Sequence, residues 1–515
     1  MTREELPADG GDVGGGVDDN GVDDGHHDGS KIRTDGGSDE RTGADPDTDD
    51  GPVAGDEAGA LTGGDGSGPP EDRGSLRTWW SELPRWQADV LLLGATLLGV
   101  YAFIGGLGLI AGLQTDGILA QLRFVTFLAA AFAVITLALN LHWGYTGLFN
   151  IGVAGFMAIG AYTMAIATAD PDAIGAPGLG LPVPVGIVLG VLAAGLVGLI
   201  VVLPALRIRA DYFAIVTLAF AEVVRLLVTS GALANFEIAG REMGTGGGSG
   251  IRFPSLEGVV PDWVLYQGGD ISQGTNIVGY QVLTITNALG MGRGAVENWI
   301  YALTVLFVVA VSFWLLVRTG NSPFGRVLKA IREDELAAKS LGKNTDVVKI
   351  KVFVLGCALM GLGGILWQGR NGYVDPNAFL PIVTFYIFIA LIIGGSGSNT
   401  GSVVGAFVFA ALLFEGPPYI QRIVRQRTDL PSPNTIYDAI LSGDPTAIAG
   451  YAVGELPNLR FILFGVILIV LMIYRPDGLL GHRNEPASPI DLRRERSPNA
   501  GAPGPGAVAG GGDDD

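Results

Sequence analysis

Long runs of apolar residues constrain the fold of this chain more than any other feature of its sequence. An α-helix needs about 20 mostly apolar residues to cross the hydrocarbon core of a bilayer. Ten runs approach or reach that length: 88–110, 119–140, 147–168, 183–206, 212–230, 299–318, 350–368, 379–395, 401–415 and 459–474. Charged residues make up only 16% of the chain, against about 25% in soluble proteins. The runs predict an all-α polytopic membrane protein of about ten transmembrane helices, in which the short runs 379–395 and 401–415 are broken or re-entrant.

Charge is concentrated at the two ends of the chain. Residues 1–78 are rich in Asp and Gly, and residues 484–515 finish with three aspartates after a glycine run. Segments with few apolar residues and a high net charge cannot bury enough surface to fold. We therefore predict disordered acidic tails on either side of a transmembrane domain at 79–483. An acidic surface of this kind fits a salt-adapted, halophilic cytoplasm, and the N-terminus lacks the pattern of a cleavable signal peptide.

Lysines and arginines near the ends of the spans predict the orientation, because basic loops stay in the cytoplasm. The loop at 319–349 and its borders carry most of them: Arg318, Arg326, Lys329, Arg332, Lys339, Lys343, Lys349 and Lys351. Further basic residues lie in two links, Arg207 with Arg209 and Arg475 with Arg483. We predict a multi-pass membrane protein with both termini and the 319–349 loop inside, and with loops 231–298 and 416–458 outside. Arg422, Arg425 and Arg427 in the second outer loop fit this orientation less well.

The sequence offers little support for an enzyme. The single cysteine, Cys357, excludes an internal disulfide and a thiolate metal cluster, and the four histidines, His26, His27, His142 and His482, match no metal spacing. A phosphate-binding loop needs a lysine and a Ser or Thr after its second glycine. The stretch GNSPFGRV at 320–327 has the glycine spacing but continues with Arg and Val. We therefore predict no catalytic, metal-binding or cofactor-binding residue, no ATP hydrolysis by this chain and no nucleic-acid partner.

The basic segment between two apolar runs has the pattern of an amphipathic helix over 324–342. One apolar stripe follows helical spacing: Phe324, Val327, Leu328, Ile331, Ala338 and Gly342. Glu335 falls within that stripe and is predicted to need a partner for its charge. Gly342 suits a left-handed helix end, and Thr345 is predicted to cap the next helix. The pattern allows either a helix at the lipid headgroups or one that fits a groove on a cytoplasmic protein.

Six stretches of the sequence resemble conserved parts of one class of transporters. EDELAAKSLG at 333–342, through Glu335, Ala337, Ala338 and Gly342, resembles the EAA-type loop of ABC-importer permeases. Other stretches resemble the branched-chain amino acid permease family in its M-type subunit: LNLHWGYTGLFNIGVAGFMAIGAY (139–162), LRIRADYFAIVTLAFAEVVRLL (206–227), GTGGGSGI (244–251), IGGSGSNTGSVVGA (393–406) and RPDGLLG (475–481). Together they extend over about 79–483. The acidic head and the 416–458 insert have no expected counterpart in this family.

The resemblance implies a permease subunit of an ATP-driven importer of branched-chain amino acids, with a type II importer bundle in a prokaryotic plasma membrane. Its partners would be a homologous H-type permease subunit, two cytoplasmic ABC ATPases that hold ATP and Mg²⁺, and an external solute-binding protein. Loop 319–349 would be the coupling loop that docks on the ATPase, through Arg332, Glu333 and the four residues of the EAA match. Two alternatives stay open: the same architecture carrying urea, short amides or another small solute, and an ion-coupled secondary transporter or channel.

A few residues inside the spans are candidates for the translocation path. Asn140, Tyr145 and Asn150 flank a glycine-rich break, and the stretches GYTGLFNIG and GGSGSNTGSVVG are weakly alike. The second stretch contains Gly395 and Gly397. Corresponding breaks in two repeated halves point to the binding site of a transporter, so we predict that the two stretches line the path.

Glu222 and Arg225 are predicted to pair across one helical turn within a span. The pair is either a buried structural pair, which we favour, or a gate or substrate contact. Gly108/Gly112, Gly186/Gly190 and Gly401/Gly405 have the spacing that lets membrane helices approach closely.

Overall fold

A computed structural model describes residues 85–208, 210–238 and 240–480. The predicted tails at 1–78 and 484–515 lie outside the described residues. So do five residues used in the sequence arguments: His26, His27, Arg209, His482 and Arg483.

Helices dominate the described part of the chain. We number them α1 Arg85–Ile110, α2 Thr115–Leu139, α3 Val153–Thr168, α4 Val183–Ala205, α5 Ala210–Thr229, α6 Gly231–Ala234, α7 Leu256–Leu265, α8 Ile277–Ala288, α9 Arg293–Gly320, α10 Pro323–Glu333, α11 Glu335–Ser340, α12 Thr345–Gly369, α13 Pro381–Gly394, α14 Asn399–Val408, α15 Gly416–Arg427, α16 Ile436–Leu441, α17 Pro445–Gly454 and α18 Leu459–Tyr474. Wider π-helical turns extend α2 at Asn140–Gly144 and join α14 to α15 at Phe409–Phe414.

Four short strands lie outside the apolar helices. Strands β1 (Phe236–Ile238) and β2 (Arg241–Met243) form an antiparallel hairpin in which Phe236 faces Met243. Strands β3 (Ile251–Arg252) and β4 (Tyr373–Val374) are also antiparallel, with Ile251 opposite Val374. The β3–β4 pairing ties the loop before α7 to the loop after α12. The prediction of an all-α polytopic bundle is confirmed for the apolar helices.

Eight helical stretches of the described residues are long and apolar enough to cross a membrane: Gln87–Ile110, Thr115–Gly144, Val183–Pro204, Tyr212–Thr229, Arg293–Gly320, Thr345–Gly369, Asn399–Arg427 and Leu456–Tyr474. The prediction of about ten spans is therefore not confirmed. The runs at 147–168 and 379–395 contain α3 and α13, helices of 16 and 14 residues. At 1.5 Å per residue these extend only about 24 and 21 Å, because part of each run is non-helical backbone.

Helix α2 lies at the centre of the bundle. In its most apolar stretch 94% of the residues are buried, against 11% in α1 and 6% in the stretch that contains α18. Helices α9, α12, α13 and α14 pack around it. Phe132 packs against three aromatic rings from this surrounding layer. Polar groups on α2 are consequently surrounded by protein rather than lipid.

Glycines set the closest contacts between helices. A Cβ on Gly160 of α3 would lie 2.5 Å from the carbonyl oxygen of Gly361 on α12, and a Cβ on Gly190 of α4 would lie 2.5 Å from the carbonyl oxygen of Gly160. Backbones this close admit only glycine at the crossing. The close contact predicted from Gly186/Gly190 is confirmed. Gly112, by contrast, has φ +64° and lies in the turn after α1.

Two loop boundaries differ from the predicted ones. Helix α9 starts at Arg293, so the loop predicted at 231–298 ends six residues earlier and contains α6, α7 and α8. The insert predicted at 416–458 begins as helix, because the π-helical turn at Phe409–Phe414 lets the stretch from Asn399 continue to Arg427. The segment between α9 and α12 covers 321–344, close to the predicted 319–349.

Candidate functional site

The first glycine-rich stretch is a break in the helical backbone, which we call the first break and define as residues 140–152. After the π-helical turn Asn140–Gly144 the backbone is non-helical from Gly147 until α3 begins at Val153. Asn140 and Asn150 are fully buried and Tyr145 is 8% exposed. Asn150 closes its own turn, since its Oδ1 accepts a bond from the Gly152 amide at 2.8 Å. Backbone of this kind is stable at membrane depth only where protein or water satisfies it.

The second glycine-rich stretch is also a break, between α13 and α14, which we call the second break and define as residues 395–398. Gly395 and Gly397 have φ values of +103° and +87°, a region that residues with a Cβ rarely adopt. Ser398 caps α14, because its hydroxyl accepts a bond from the Gly401 amide at 3.0 Å. The chain therefore reverses here without a long loop.

Asn140 joins the two breaks. Its side-chain oxygen accepts a bond from the Gly397 amide at 2.7 Å, and its side-chain nitrogen donates to Oδ1 of Asn399 at 3.0 Å. Gly144 lies against the same junction, where a Cβ would meet Asn140 Oδ1 and come within 2.6 Å of the Gly397 nitrogen. The structure thus brings together the predicted site residues Asn140 and Gly397, which are 257 positions apart. Whether they line a path stays a prediction.

His142 holds the first break against α12. Its ring stacks on Phe353 with 4.7 Å between centroids, and Nε2 lies 3.1 Å from the Phe353 carbonyl oxygen. Nδ1 lies 3.2 Å from the side-chain nitrogen of Asn150. These partners assign a neutral ring with the proton on Nε2, because one partner is an acceptor and the other a donor. The sequence predicted His142 to be non-catalytic and did not predict its contacts with Phe353 and Asn150. The only sequence signal for such a role is that His142 is a polar residue at the end of a span.

The segment between α9 and α12 is not one helix, contrary to the prediction over 324–342. Asp334 has extended backbone angles, φ −154° and ψ 106°, and separates α10 from α11. Its carboxylate accepts bonds from the amides of Leu336 at 2.8 Å and Ala337 at 3.0 Å, as an N-cap does. Apolar periodicity does not reveal a cap inside a regular pattern. Leu328, Ile331 and Ala338 are buried as the stripe predicts.

Glu335 has the partners that its position required. One oxygen lies 2.6 Å from Lys349 Nζ, and the other lies 3.2 Å from Lys339 Nζ and accepts a bond from the Thr345 hydroxyl at 3.0 Å. Burial works to raise the pKa of this carboxyl, but the bonds to Lys349, Lys339 and Thr345 outweigh it and hold the pKa below its usual range. The predicted cap at Thr345 is wrong: Asn344 caps α12 by accepting from the Val347 amide at 3.2 Å, and Thr345 serves Glu335 instead.

The other residues predicted to couple loop 319–349 to the ATPase differ in their exposure. Glu333, Ala337 and Gly342 are exposed, and Gly342 has the predicted left-handed conformation with φ +74°. Arg332 turns the other way and donates a hydrogen bond to the carbonyl oxygen of Gly144 in the first break. Leu336 and Leu341, which sequence reasoning did not single out, are 75% and 78% exposed.

Glu222 and Arg225 pair as predicted, with 2.9 Å between Nε and Oε2. The pair is partly buried, since the Glu222 side chain is 35% exposed and that of Arg225 is 18% exposed, and its role stays a prediction. They lie on a face of α5 with exposed apolar neighbours such as Val223 and Leu226. The structure does not bring this pair to the two breaks, although Thr217 on the same helix accepts a bond from the Ile151 amide at 3.0 Å.

The described residues contain no group of three or more His, Cys, Asp or Glu side chains able to hold a metal ion. No solved structure matches the chain, so the type II arrangement stays a prediction.

Comparison with known proteins places the chain in a transport family. The family described as "Branched-chain amino acid transport system / permease component" matches residues 121–472. The chain is 29% identical over 350 residues to the high-affinity branched-chain amino acid transport system permease protein LivM of Salmonella typhimurium, covering 68% of this chain and 67% of the relative.

Two further relatives agree with this match. The probable LivM permease of Methanocaldococcus jannaschii is 24% identical over 373 residues, 67% of this chain and 89% of the relative. The permease protein LivH of Salmonella typhimurium is 29% identical over 123 residues, 22% of this chain and 39% of the relative. Since the family match covers more than half of the sequence, the chain is a multi-pass membrane protein that belongs to the branched-chain amino acid transport permease family.

Proposed function

We propose that this chain is a permease subunit of an ATP-driven importer that moves branched-chain amino acids across a prokaryotic plasma membrane. The family match over residues 121–472 carries the proposal, and the likeness to LivM proteins supports the choice of cargo. The basic segment supports the inward placement of residues 321–344 and of both termini, because lysines and arginines favour the cytoplasmic side.

The segment 323–342 is the proposed docking element for a cytoplasmic ABC ATPase. Its exposed side chains combine apolar and charged groups: Leu336, Leu341 and Ala337 with Glu333. A short helix of this kind fits a groove on a partner protein. Glu335 holds α11 to the start of α12, so a push on the segment reaches a membrane helix. In this proposal two ATPases bind ATP and Mg²⁺, and this chain itself holds no cofactor.

The other proposed partners are a homologous H-type permease subunit and an external solute-binding protein. The likeness to LivH supports a family of related permease subunits. A charged pair facing lipid is costly, so the partly exposed Glu222–Arg225 pair favours contact of this face of α5 with a second permease subunit or with a water-filled path. We propose that this pair and the two breaks contribute to the translocation path. The apolar side chains of the stretch IGVAGFMAIGAY at 151–162 suit a branched aliphatic cargo.

Two alternatives differ in cargo or in energy source. The same architecture carrying urea or short amides differs from the first proposal only in the solute delivered. An ion-coupled transporter needs intramembrane carboxylates that exchange protons or cations, and Glu222 is bonded to Arg225 instead. This observation favours the ATP-driven proposal.

Uptake by reconstituted vesicles tests the proposal. The chain, produced with the permease, ATPase and binding protein from its own genome, is supplied with labelled leucine, isoleucine, valine and urea, with and without internal ATP. Leucine uptake that requires ATP is the expected result. Urea uptake that requires ATP would keep the class and change the cargo, and uptake that follows an ion gradient without ATP would overturn the proposal.

A further inference from the structure

Arg332 differs from its basic neighbours because its guanidinium points into the bundle. It is half-buried, whereas Arg326 on the same helix is exposed. Burial lowers the pKa of the Arg332 guanidinium, and only the adjacent Glu333 acts to raise it. No carboxylate of the described residues forms an ion pair with Arg332. Its bond to the Gly144 carbonyl is therefore the main compensation for removing this charge from water.

The Gly144 carbonyl oxygen is a favourable acceptor for a cation because it lies at the C-terminal end of a helix. Gly144 ends the helical stretch that begins at Thr115. The last carbonyl groups of a helix lack partners in the helix and carry partial negative charge. A bond from a guanidinium to such a carbonyl is charge-assisted and stronger than one between neutral groups. Arg332 thus bonds to the end of α2, the helix at the centre of the bundle.

The contact continues from Gly144 to both breaks. Gly144 packs against Asn140 Oδ1 and the Gly397 amide, so the acceptor of Arg332 adjoins the bond that joins the two breaks. On the other side, a Cβ on Gly147 would lie 3.7 Å from Arg332 Cγ. Arg332 therefore bonds to the first break at Gly144 and lies about one methyl group from it at Gly147, so a displacement of Arg332 is expected to pull on the first break.

Helices α9 and α12, which flank the segment 321–344, both contact the first break. Gly320, the last residue of α9, lies against Tyr145, where a Cβ would be 2.8 Å from the phenol oxygen. Phe353 on α12 bonds and stacks with His142. Arg332 supplies the polar contact from α10, one of the two helices between them. Helices α9, α10 and α12 therefore all contact the first break.

We propose that Arg332 is a positioning residue that transmits displacement of α10 to the two breaks, through the Gly144 carbonyl and the Asn140–Gly397 bond. The inference rests on the proposed function, since it assumes that an ATPase moves α10. In this proposal Arg332 acts on the bundle, and the exposed side chains of the segment make the contact with the ATPase. When the ATPase moves the exposed side chains of the segment, Arg332 transmits that movement to the backbone of the first break.

The test compares transport with ATP hydrolysis in the reconstituted complex. Arg332→Ala is expected to leave ATP hydrolysis within about twofold of wild type and to lower leucine imported per ATP at least about fivefold, the smallest usual allosteric coupling. Arg332→Lys keeps the positive charge and can still donate a hydrogen bond, so it is expected to recover part of the leucine import per ATP. Arg318→Ala is the matched control, because it removes an exposed arginine at the same end of the bundle. It is expected to leave both ATP hydrolysis and leucine import per ATP unchanged.

A double variant tests the route. Asn140→Ala alone is expected to lower the ratio as well, and Arg332→Ala with Asn140→Ala is expected to lose no more than the larger single loss, since members of one network are not additive. Additive losses would overturn the route through Asn140. A ratio in Arg332→Ala equal to wild type would overturn the inference itself.

The outcomes also separate this inference from the proposed function. If the wild-type complex imports no solute with ATP, the proposed function fails. If it does so and the Arg332 variants behave like wild type, only the inference fails. If Arg332→Ala does not assemble, Arg332→Lys and Arg332→Gln decide: equal import per ATP in both would overturn the inference, and a lower ratio in Gln would support it.

Discussion

Asn140 shows how much one side chain can hold together inside a membrane protein. It is fully buried and uses both its oxygen and its nitrogen to bind the second break. The Gly397 amide it accepts from lies in a left-handed turn that cannot form a regular helical bond. Without Asn140, a buried donor would have no partner in a region that water does not reach freely.

Asn140→Ala is expected to lower the free energy of unfolding by about 1–3 kcal/mol, because the Gly397 amide and Asn399 lose their partner. The measurement is the rate at which the fully buried Cys357 reacts with a thiol dye during thermal unfolding in detergent. Asn371→Ala is the control, since Asn371 is exposed. Equal unfolding temperatures for both variants would contradict the structural role.

Glu335→Lys is expected to leave the bundle folded but to uncouple transport from ATP hydrolysis. It removes the ion pairs with Lys349 and Lys339 and places a third positive charge between them. Hydrogen exchange of residues 335–349 should become faster. Glu333→Lys, the same charge change at an exposed position without an ion pair among the described residues, should not change that exchange. Normal transport by Glu335→Lys would refute the coupling role.

The same contact has a defined pH dependence. The folded-state pKa of Glu335 is lower than its usual value, which is about 4.3. Its contribution is therefore fully present above that usual value and is lost as the pH falls through the folded-state pKa. In the wild-type chain, the protection factors of residues 335–349, which correct for the intrinsic pH dependence of amide exchange, should stay constant from pH 7 down to about pH 5 and decrease only below the usual pKa. An onset above pH 5 would mean that the pKa is not lowered.

At the scale of helices, close contact depends on glycine rather than on apolar side chains. The crossing of α3, α4 and α12 places Gly160 between Gly190 and Gly361. Association of helices in lipid gains little from burying apolar surface and depends on close packing. Helix α3 is short because the first break removes residues 147–152 from the apolar run 147–168, whereas the run 379–395 that contains α13 was short from the start.

Gly361→Val is expected to prevent normal packing of α12 against α4, because a Cβ there would lie 2.4 Å from the Ala194 Cβ. Overpacking of this kind costs about 1–3 kcal/mol or more. Gly99→Val on α1 is the control, since no atom lies within 4 Å of its added Cβ. The yield of folded protein by size-exclusion chromatography in detergent measures the difference. Equal yields would show that the crossing can relax.

At the scale of the whole molecule, the basic loop predicts which side of the membrane each end faces. Cys357→Ala gives a background without cysteine among the described residues. In that background a membrane-impermeant thiol reagent on intact cells is expected to label Gln267→Cys and not Lys343→Cys, both at exposed positions. Permeabilised cells should label both. The reverse pattern on intact cells would invert the predicted orientation.

Particular residues show how much of the candidate site was predictable. Gly342 as a left-handed helix end, the Glu222–Arg225 pair and the need of Glu335 for a partner followed from local spacing and are confirmed. Asp334 as a cap, Arg332 pointing into the bundle and His142 against Phe353 did not follow. The first group depends on neighbours within a few residues, whereas most of the second depends on distant ones.

The sequence by itself determined that this chain is a helical membrane protein, where most of its spans lie and which permease family it resembles, because hydropathy and motifs are properties of contiguous residues. Only the tertiary structure decided that the two glycine-rich breaks touch, that Asn140 bonds across 257 positions, and that the basic segment holds the first break through Arg332. Those contacts depend on how the helices pack, and the shortest of them exist because glycine lets backbones meet.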